Sequence, residues 1–153
     1  MDRKRNRLKD FNYIGNYAYF LTLLTSGKTQ YFVDKILIEK ILVILRDTSS
    51  EFKFEIFAYC FMPDHLHLLV TGKCNGDLQV SNLINFIKKF KQKSGFYFKK
   101  EYNKNLWHKS YYDHVVRKEE NLETVALYIL NNPVRKGLVG DYRNYEFSGS
   151  VET

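Results

Sequence analysis

The sequence predicts an α+β fold in which a single domain has a mostly antiparallel sheet flanked by helices. Four segments are rich in alternating or β-branched apolar residues, and three others carry apolar residues at helical spacing. Their order along the chain is β-α-β-β-α-β-α, which favours a sheet with helices as its cover. No repeat or linker divides the 153 residues, so we expect one domain over residues 1–153.

The first two elements predicted are a strand and a helix. Residues 17–25 are partly aromatic and β-branched and predict a strand that ends before the turn at Gly27-Lys28. Asp34 is suited to cap a helix that runs to about Arg46. Its apolar residues recur at helical spacing, at Leu37, Ile38, Ile41, Leu42 and Leu45.

The middle of the chain predicts a hairpin followed by a second helix. Residues 52–61 and 65–71 are strand-like, and Met62-Pro63-Asp64 forms the tight turn between them. The helix is expected from about Leu78 to Ser94, with Asp77 before it and Gly95 after it. Its predicted apolar stripe consists of Val80, Leu83, Ile84, Ile87 and Phe90.

The last two predicted elements are a strand over residues 106–116 and a helix over residues 119–131. The apolar stripe of this helix consists of Leu122, Val125, Ala126 and Ile129. Pro133 limits how far the helix can continue, because proline lacks a backbone N–H and disfavours helical angles in the residue before it.

Two histidines in the hairpin are the first candidate site residues. On a strand, His65 and His67 point to the same face, while Leu66, Leu68 and Val70 point to the other. Two parallel imidazoles on a rigid strand can form half of a metal site. Alternating histidines can also be surface residues or core residues bonded to backbone, so the pair needs a third ligand to be distinctive.

Tyr128 and Asn132 are the second candidate pair. They are four residues apart on the predicted last helix and therefore lie one above the other, on the edge of its apolar stripe. By itself such a tyrosine is usually a half-buried packing residue, and Asn132 before Pro133 is usually a helix stop. Combined with His65 and His67, the pair suggests an enzyme that cuts DNA with a tyrosine, with a third metal ligand from residues 128–133.

The ligand types predict Mg²⁺ or Mn²⁺ rather than zinc. Structural zinc needs four nitrogen or sulfur ligands at recognisable spacings, which His108, His114 and the two cysteines do not supply. Two imidazoles and an amide oxygen carry no negative charge, so a divalent ion would bind weakly until a phosphate oxygen joined it. A free tyrosine is only about one part in a thousand ionised at pH 7, a deficit of about 4 kcal/mol. A bound divalent ion can offset that deficit by polarising a scissile phosphate.

The charge of the chain favours a polyanionic partner. Its net charge is +7 and its pI is about 9.3, which suits nucleic acid first and an anionic membrane surface second, although a merely soluble basic protein has the same charge. The residues predicted to contact DNA are Lys88, Lys89, Lys91, Lys93 and Arg135, supported by Lys99, Lys100 and Lys104. Trp107, Tyr111 and Tyr112 are candidates for base stacking, with core packing expected for at least two of them.

The remaining sequence features predict a cytoplasmic protein. Cys60 and Cys74 are expected to be reduced, buried thiols. The charged N-terminus is not followed by a secretory apolar core, and no stretch approaches the roughly 20 apolar residues that a membrane span needs.

Several segments resemble those of a known family. Residues 62–70 are similar to the His-hydrophobe-His segment of single-tyrosine HUH transposases. Residues 106–113, 128–139 and 145–150 resemble the REP-associated tyrosine transposases, and the matches together span a core of about residues 17–150. The family generally has asparagine where this chain has Asp64, and its classical insertion-sequence branch usually has glutamine where this chain has Asn132.

The resemblance implies an HUH-endonuclease, ferredoxin-like arrangement and an enzyme of DNA transposition. In it His65, His67 and Asn132 would bind the divalent metal, and Tyr128 would be the nucleophile. Members cleave single-stranded DNA beside hairpins and leave a 5′-phosphotyrosine and a free 3′-hydroxyl. The partners expected are therefore single-stranded and hairpin DNA. Monomer and homodimer both stay open, as does whether Tyr128 acts on the phosphate bound by its own chain.

Two alternatives stay open at this point. One is a descendant that still binds hairpin DNA but no longer cuts it. The other is a small metalloprotein or RNA-processing enzyme that shares only the His-x-His strand. For the latter, Tyr128→Phe would leave activity unchanged.

Overall fold

Five strands and four α-helices make up the computed structural model, which describes residues 17–73, 81–117 and 120–150. The strands are β1 Ala18–Thr25, β2 Phe54–Met62, β3 His65–Gly72, β4 Trp107–Val116 and β5 Ser148–Ser150. The helices are α1 Lys35–Glu51, α2 Leu83–Tyr102, α3 Leu122–Leu130 and α4 Asn132–Arg135. The predicted α+β class is confirmed, with α4 and β5 as additions that the sequence did not predict.

The sheet is antiparallel throughout, in the order β4-β1-β3-β2-β5. Strands β2 and β3 form the predicted hairpin, with Met62 paired to His65 across the turn at Pro63 and Asp64. Strand β3 lies in the middle and pairs with β1 on its other side, where Thr22 lies opposite His67 and Leu24 opposite His65. The histidines are therefore held in the centre of the sheet, between two hydrogen-bonded neighbours.

The two faces of the sheet have different covers. Leu66, Leu68 and Val70 are fully buried in the main hydrophobic core together with residues of α1 and α2. We call this side the core face. The opposite side carries His65 and His67, and its smaller apolar cluster contains Ala126 and Ile129 of α3. We call it the site face. The period of two in a strand thus sends core residues and site residues to opposite sides, as predicted.

Helix α1 follows the prediction at its start and exceeds it at its end. The Asp34 carboxylate accepts a hydrogen bond from the Ile36 backbone N–H at 2.9 Å, which confirms the cap. The helix continues to Glu51 instead of ending near Arg46, since Leu45 and Thr48 still face the core.

Helix α2 differs from its prediction at both ends. Asn82 caps it, and Asp77, Leu78 and Val80 lie outside the described residues. Gly95 was wrong as a terminator: the helix continues through it to Tyr102, and Asn103 after it takes the left-handed conformation that closes many helices. Ile84 was wrong as a core residue, because it is exposed while Phe86 is buried.

Helix α3 ends at Leu130, before Pro133 as predicted, and the short helix α4 follows it directly. Helix α3 is capped by Asn121, and the predicted start at residue 119 lies outside the described residues. Asn131 keeps right-handed helical angles, and α4 begins at once with Pro133 in its first turn. A proline there costs little because the N–H it lacks has no helical partner in a first turn. Backbone hydrogen bonds from Arg135 to Asn131 and from Lys136 to Asn132, both 3.0 Å, continue the helical path.

Two smaller observations complete the fold. Cys60 is a buried free thiol, as predicted, and Cys74 lies outside the described residues. None of the helices in the described ranges is long and apolar enough to cross a membrane.

Candidate active site

The two histidines meet on the site face. Their Nε2 atoms lie 3.2 Å apart, and their ring centroids are 4.6 Å apart. Desolvation by burial, then the neighbouring charges of His65 and Arg135, lower the pKa of His67 from its ordinary value to about 3. His67 is therefore neutral at physiological pH, and a neutral imidazole is the form that binds a metal ion.

The second nitrogen of each imidazole is held by a neighbouring side chain. His65 Nδ1 lies 2.6 Å from a carboxylate oxygen of Asp64, and His67 Nδ1 lies 2.9 Å from the Thr22 hydroxyl. A carboxylate accepts, so His65 donates from Nδ1, and its Nε2 is the nitrogen that faces His67 and Asn132. Such partners orient a metal-binding histidine and increase its basicity.

The side chain of Asn132, the third predicted ligand, lies beside His65. Its side-chain amide lies 3.4 Å from His65 Nε2, and the residue is 5% exposed. The oxygen and nitrogen of an amide exchange places by rotation about the last side-chain bond, so the oxygen can face the histidines equally well. The continuation of the helical path past Asn131 is what brings Asn132 over the sheet.

The spacing of the two histidines matches neighbouring ligand positions around an octahedral divalent ion. Ligand atoms at right angles, each roughly 2.1 Å from Mg²⁺ or a similar ion, are about 3 Å apart, close to the separation of the two Nε2 atoms. In the described ranges, no group of three His, Cys, Asp or Glu residues is placed to hold a metal. An amide oxygen from Asn132 is thus the protein ligand that can complete a set with His65 and His67.

Tyr128 lies one helical turn before Asn132 and is 56% exposed. Its ring contacts Phe20 edge to face, with centroids 6.2 Å apart, and Phe20 in turn contacts the His67 ring at 5.4 Å. The Arg135 guanidinium stacks on the Tyr128 ring at 3.9 Å and donates to the Tyr128 carbonyl at 2.8 Å. The phenol therefore projects into solvent from a ring held on two sides.

The other predicted contact residues are divided between the two faces. Helix α2, which carries Lys88, Lys89, Lys91 and Lys93, packs on the core face, away from the histidines. Two of its lysines bind protein groups: Lys91 donates to the His108 and Lys109 carbonyls, and Lys93 pairs with Glu51 at 3.0 Å.

The aromatic candidates also separate by face. The Trp107 indole donates to Ser94 of α2 at 2.8 Å, and Tyr111 is buried in the main core, so both pack as expected. Tyr112 is half-buried and lies opposite Thr22 in the sheet, which places it on the site face. Of the three, Tyr112 is the one placed to meet a substrate at the histidines.

Three polar side chains near the histidines were missed by the sequence prediction. Thr22 supports His67, while Lys28 and Lys136 line a pocket beside His65. Thr22 could have been found from the strand pattern, because it shares a face with Phe20. Lys28 sits in a turn and Lys136 follows Pro133, and nothing in their local sequence separates them from ordinary surface lysines.

Comparison with known proteins shows the family of the chain. Residues 13–132 match the model of the IS200-like transposase family. The chain is 26% identical to a Haemophilus influenzae protein provisionally named REP-associated tyrosine transposase, over 94% of this chain and 84% of that one. It is 29% identical to the Escherichia coli K12 REP-associated tyrosine transposase, over 89% of this chain and 78% of that one.

The fold also has a counterpart among solved structures. A REP-associated tyrosine transposase bound to a REP hairpin superposes with a TM-score of 0.71 at 21% identity, covering 93% of this chain and 81% of that one. This similarity supports the fold, while the family model spans most of the chain, from the residues before β1 to Asn132. The chain therefore belongs to the IS200-like transposase family.

Proposed function

We propose that this transposase is a metal-dependent endonuclease and strand transferase that acts on single-stranded DNA near hairpins through a covalent 5′-phosphotyrosine at Tyr128. The observation that carries the proposal is the convergence of His65, His67 and Asn132 at one point, with Tyr128 one helical turn away. Three rigid elements, β3, α3 and α4, position these groups, which suits a reaction that demands precise placement.

In the proposed reaction the Tyr128 phenol oxygen attacks phosphorus, and the bond from phosphorus to the 3′-oxygen of the preceding nucleotide breaks. The phenol gives up its proton, the leaving 3′-oxygen gains one, and one phosphodiester is exchanged for another. The strand can therefore be rejoined without an external energy source. A divalent ion held by His65, His67 and Asn132 would supply charge neutralisation at the phosphate.

The surrounding side chains have separate proposed roles. Arg135 holds the Tyr128 ring by stacking and leaves a positive charge beside the position where the phosphotyrosine would form. Asp64 and Thr22 fix the orientation of the two imidazoles. Tyr112 is available on the same face to stack on an unpaired base.

The same contacts support use of Tyr128 within its own chain. Phe20 lies between the Tyr128 ring and the His67 ring and contacts both, and His67 contacts His65. This arrangement favours attack by Tyr128 on a phosphate bound by the histidines of its own chain.

The proposal is tested with labelled single-stranded hairpins taken from DNA flanking the gene. The protein is incubated with each hairpin and Mn²⁺, with EDTA, or as Tyr128→Phe, and denatured before electrophoresis. An adduct that needs both the metal and Tyr128 supports the proposal. Cleavage by Tyr128→Phe, or by the wild type in EDTA, would contradict it, and tight binding of every hairpin without cleavage would indicate a protein that only binds DNA.

A further inference from the structure

A pocket of about 380 Å³ opens beside His65. This lies within the roughly 300–1,000 Å³ of typical small-molecule sites. Its apolar lining residues include Leu24, Met62 and Leu138, and its polar lining residues are Lys28, Gln30, Asp64, His65 and Lys136. The Asp64 carboxylate is bonded to His65, so two lysines and one amide are left to meet a group that has an apolar ring and a phosphate.

The pocket and Tyr128 lie at opposite ends of the histidine pair. Along β1, the residues of the site face are Phe20, Thr22 and Leu24 in order. Phe20 contacts Tyr128, Thr22 contacts His67, and Leu24 lines the pocket.

The helical segment gives the same order independently. Tyr128, Asn132 and Lys136 follow at intervals of four residues. The first carries the phenol, the second contacts His65, and the third lines the pocket. Both lines of residues therefore run from the nucleophile, past the metal ligands, into the pocket.

The walls of the pocket are held in place by the turns beside it. The Thr25 hydroxyl donates to the Thr29 carbonyl at 2.7 Å and lies 3.0 Å from the Asp64 carbonyl, which joins the turn after β1 to the hairpin turn. Lys28 lies in the turn after β1 and has a φ of 55°, a conformation that residues other than glycine rarely adopt. Such backbone conformations cost free energy and cluster at binding sites.

We propose that this pocket binds the nucleotide immediately 5′ of the scissile phosphate, the one whose 3′-oxygen leaves. Phosphoryl transfer places the attacking and leaving oxygens in line on opposite sides of phosphorus. With the phosphate at the histidines and Tyr128 on one side, the leaving nucleotide lies on the other, where the pocket is. The inference rests on the proposed function. In it, Lys28 and Lys136 contact the adjacent backbone phosphates, and Gln30 contacts the edge of the base.

The first test uses a hairpin on which the wild type forms an adduct, with the cleaved bond mapped from the product length. Two matched substrates then carry an abasic residue, one immediately 5′ and one immediately 3′ of that bond. The 5′ abasic residue is expected to lower the adduct rate by about fivefold or more, the low end of what one base contact contributes in single-stranded sites. The 3′ abasic residue is expected to have a smaller effect.

The second test measures binding without chemistry. The free product strand that ends in the 3′-hydroxyl is titrated into wild type, Lys28→Gln, Lys136→Gln and Lys73→Gln at several salt concentrations. Lys28→Gln and Lys136→Gln are each expected to reduce the salt slope of binding by about one, as for loss of a phosphate contact. Lys73 is the control, because it is an exposed lysine near the far end of β3, beside Glu55.

The outcomes separate this inference from the proposed function. If the wild type forms an adduct but the 5′ abasic residue has no effect, or the Lys28→Gln and Lys136→Gln salt slopes equal that of Lys73→Gln, the pocket assignment is wrong and the tyrosine mechanism stands. If no hairpin gives a Tyr128 adduct, the proposed function and this inference are both wrong.

Discussion

The two faces of the sheet use side chains of the same strand, β3, in different ways: one face packs the core and the other carries the candidate site. On the core face, Leu66, Leu68 and Val70 are fully buried against α1 and α2. On the site face, His65 and His67 lie beside an amide, a carboxylate and a hydroxyl, and α3 and α4 pack on this face within the described residues. Because one side of β3 is packed against the core, the strand is held rigidly. This rigidity keeps the two imidazoles on its other side at a fixed separation.

The comparison predicts that substitutions on the two faces separate stability from chemistry. Tyr128→Phe is expected to abolish cleavage and adduct formation, because the attacking oxygen is removed. Its free energy of unfolding should change by less than about 0.5 kcal/mol, since Tyr128 is more than half exposed. Denaturant unfolding and the hairpin assay measure the two effects, and a large loss of stability would mean that the site face is also structural.

Leu68→Ala should show the opposite behaviour. Leu68 is fully buried on the core face. Its truncation leaves a cavity that is expected to lower the free energy of unfolding by about 2–5 kcal/mol. Val43→Ala on α1, at a side chain that is 52% exposed, is the control and should cost far less. If the two variants unfold at the same denaturant concentration, the core face does not carry the stability assigned to it.

Asp64→Asn tests how the site face tunes its metal ligands. Asparagine can still accept the hydrogen bond from His65 Nδ1, but it lacks the negative charge, so Mn²⁺ affinity is expected to fall by about tenfold. Calorimetric titration of Mn²⁺ into the protein measures this directly. Asp47→Asn, at an exposed position on α1, is the control. Equal affinities for the two variants would remove Asp64 from the site.

The smallest effect is expected on the outer surface of α2. We propose that Lys88 and Lys89 contact a part of the hairpin distant from the cleaved bond, because α2 lies behind the core face. Lys88→Gln with Lys89→Gln should weaken hairpin binding by a factor of a few and reduce its salt dependence, with the cleavage rate of bound DNA unchanged. A large fall in that cleavage rate would place DNA differently from this account.

The sequence was most informative where one period governs the structure. Alternation in β3 placed His65 and His67 opposite Leu66 and Leu68, and the spacing of four placed Tyr128 above Asn132. Both follow from backbone geometry alone, so they could be predicted without knowledge of neighbouring elements.

The sequence was least informative where contacts with a neighbouring element decide the local structure. Gly95 stays helical because α2 packs on the core through Phe98 beyond it. Pro133 lies in the first turn of α4, where a proline is tolerated. Strand β5 is three residues long and exists through pairing with β2, where Gly149 allows the Tyr59 ring to lie close. The pocket beside His65 joins residues from β1, the hairpin turn and the segment after α4, which only the tertiary structure brings together.

The most direct measurement is the identity of the residue that becomes linked to DNA. A wild-type reaction with a cleaved hairpin and Mn²⁺ is denatured, digested with protease and nuclease, and analysed by mass spectrometry. The account predicts a nucleotide joined through its 5′-phosphate to Tyr128. Linkage to another residue, such as Tyr112 on the same face, or cleavage that leaves no residue modified, would contradict it.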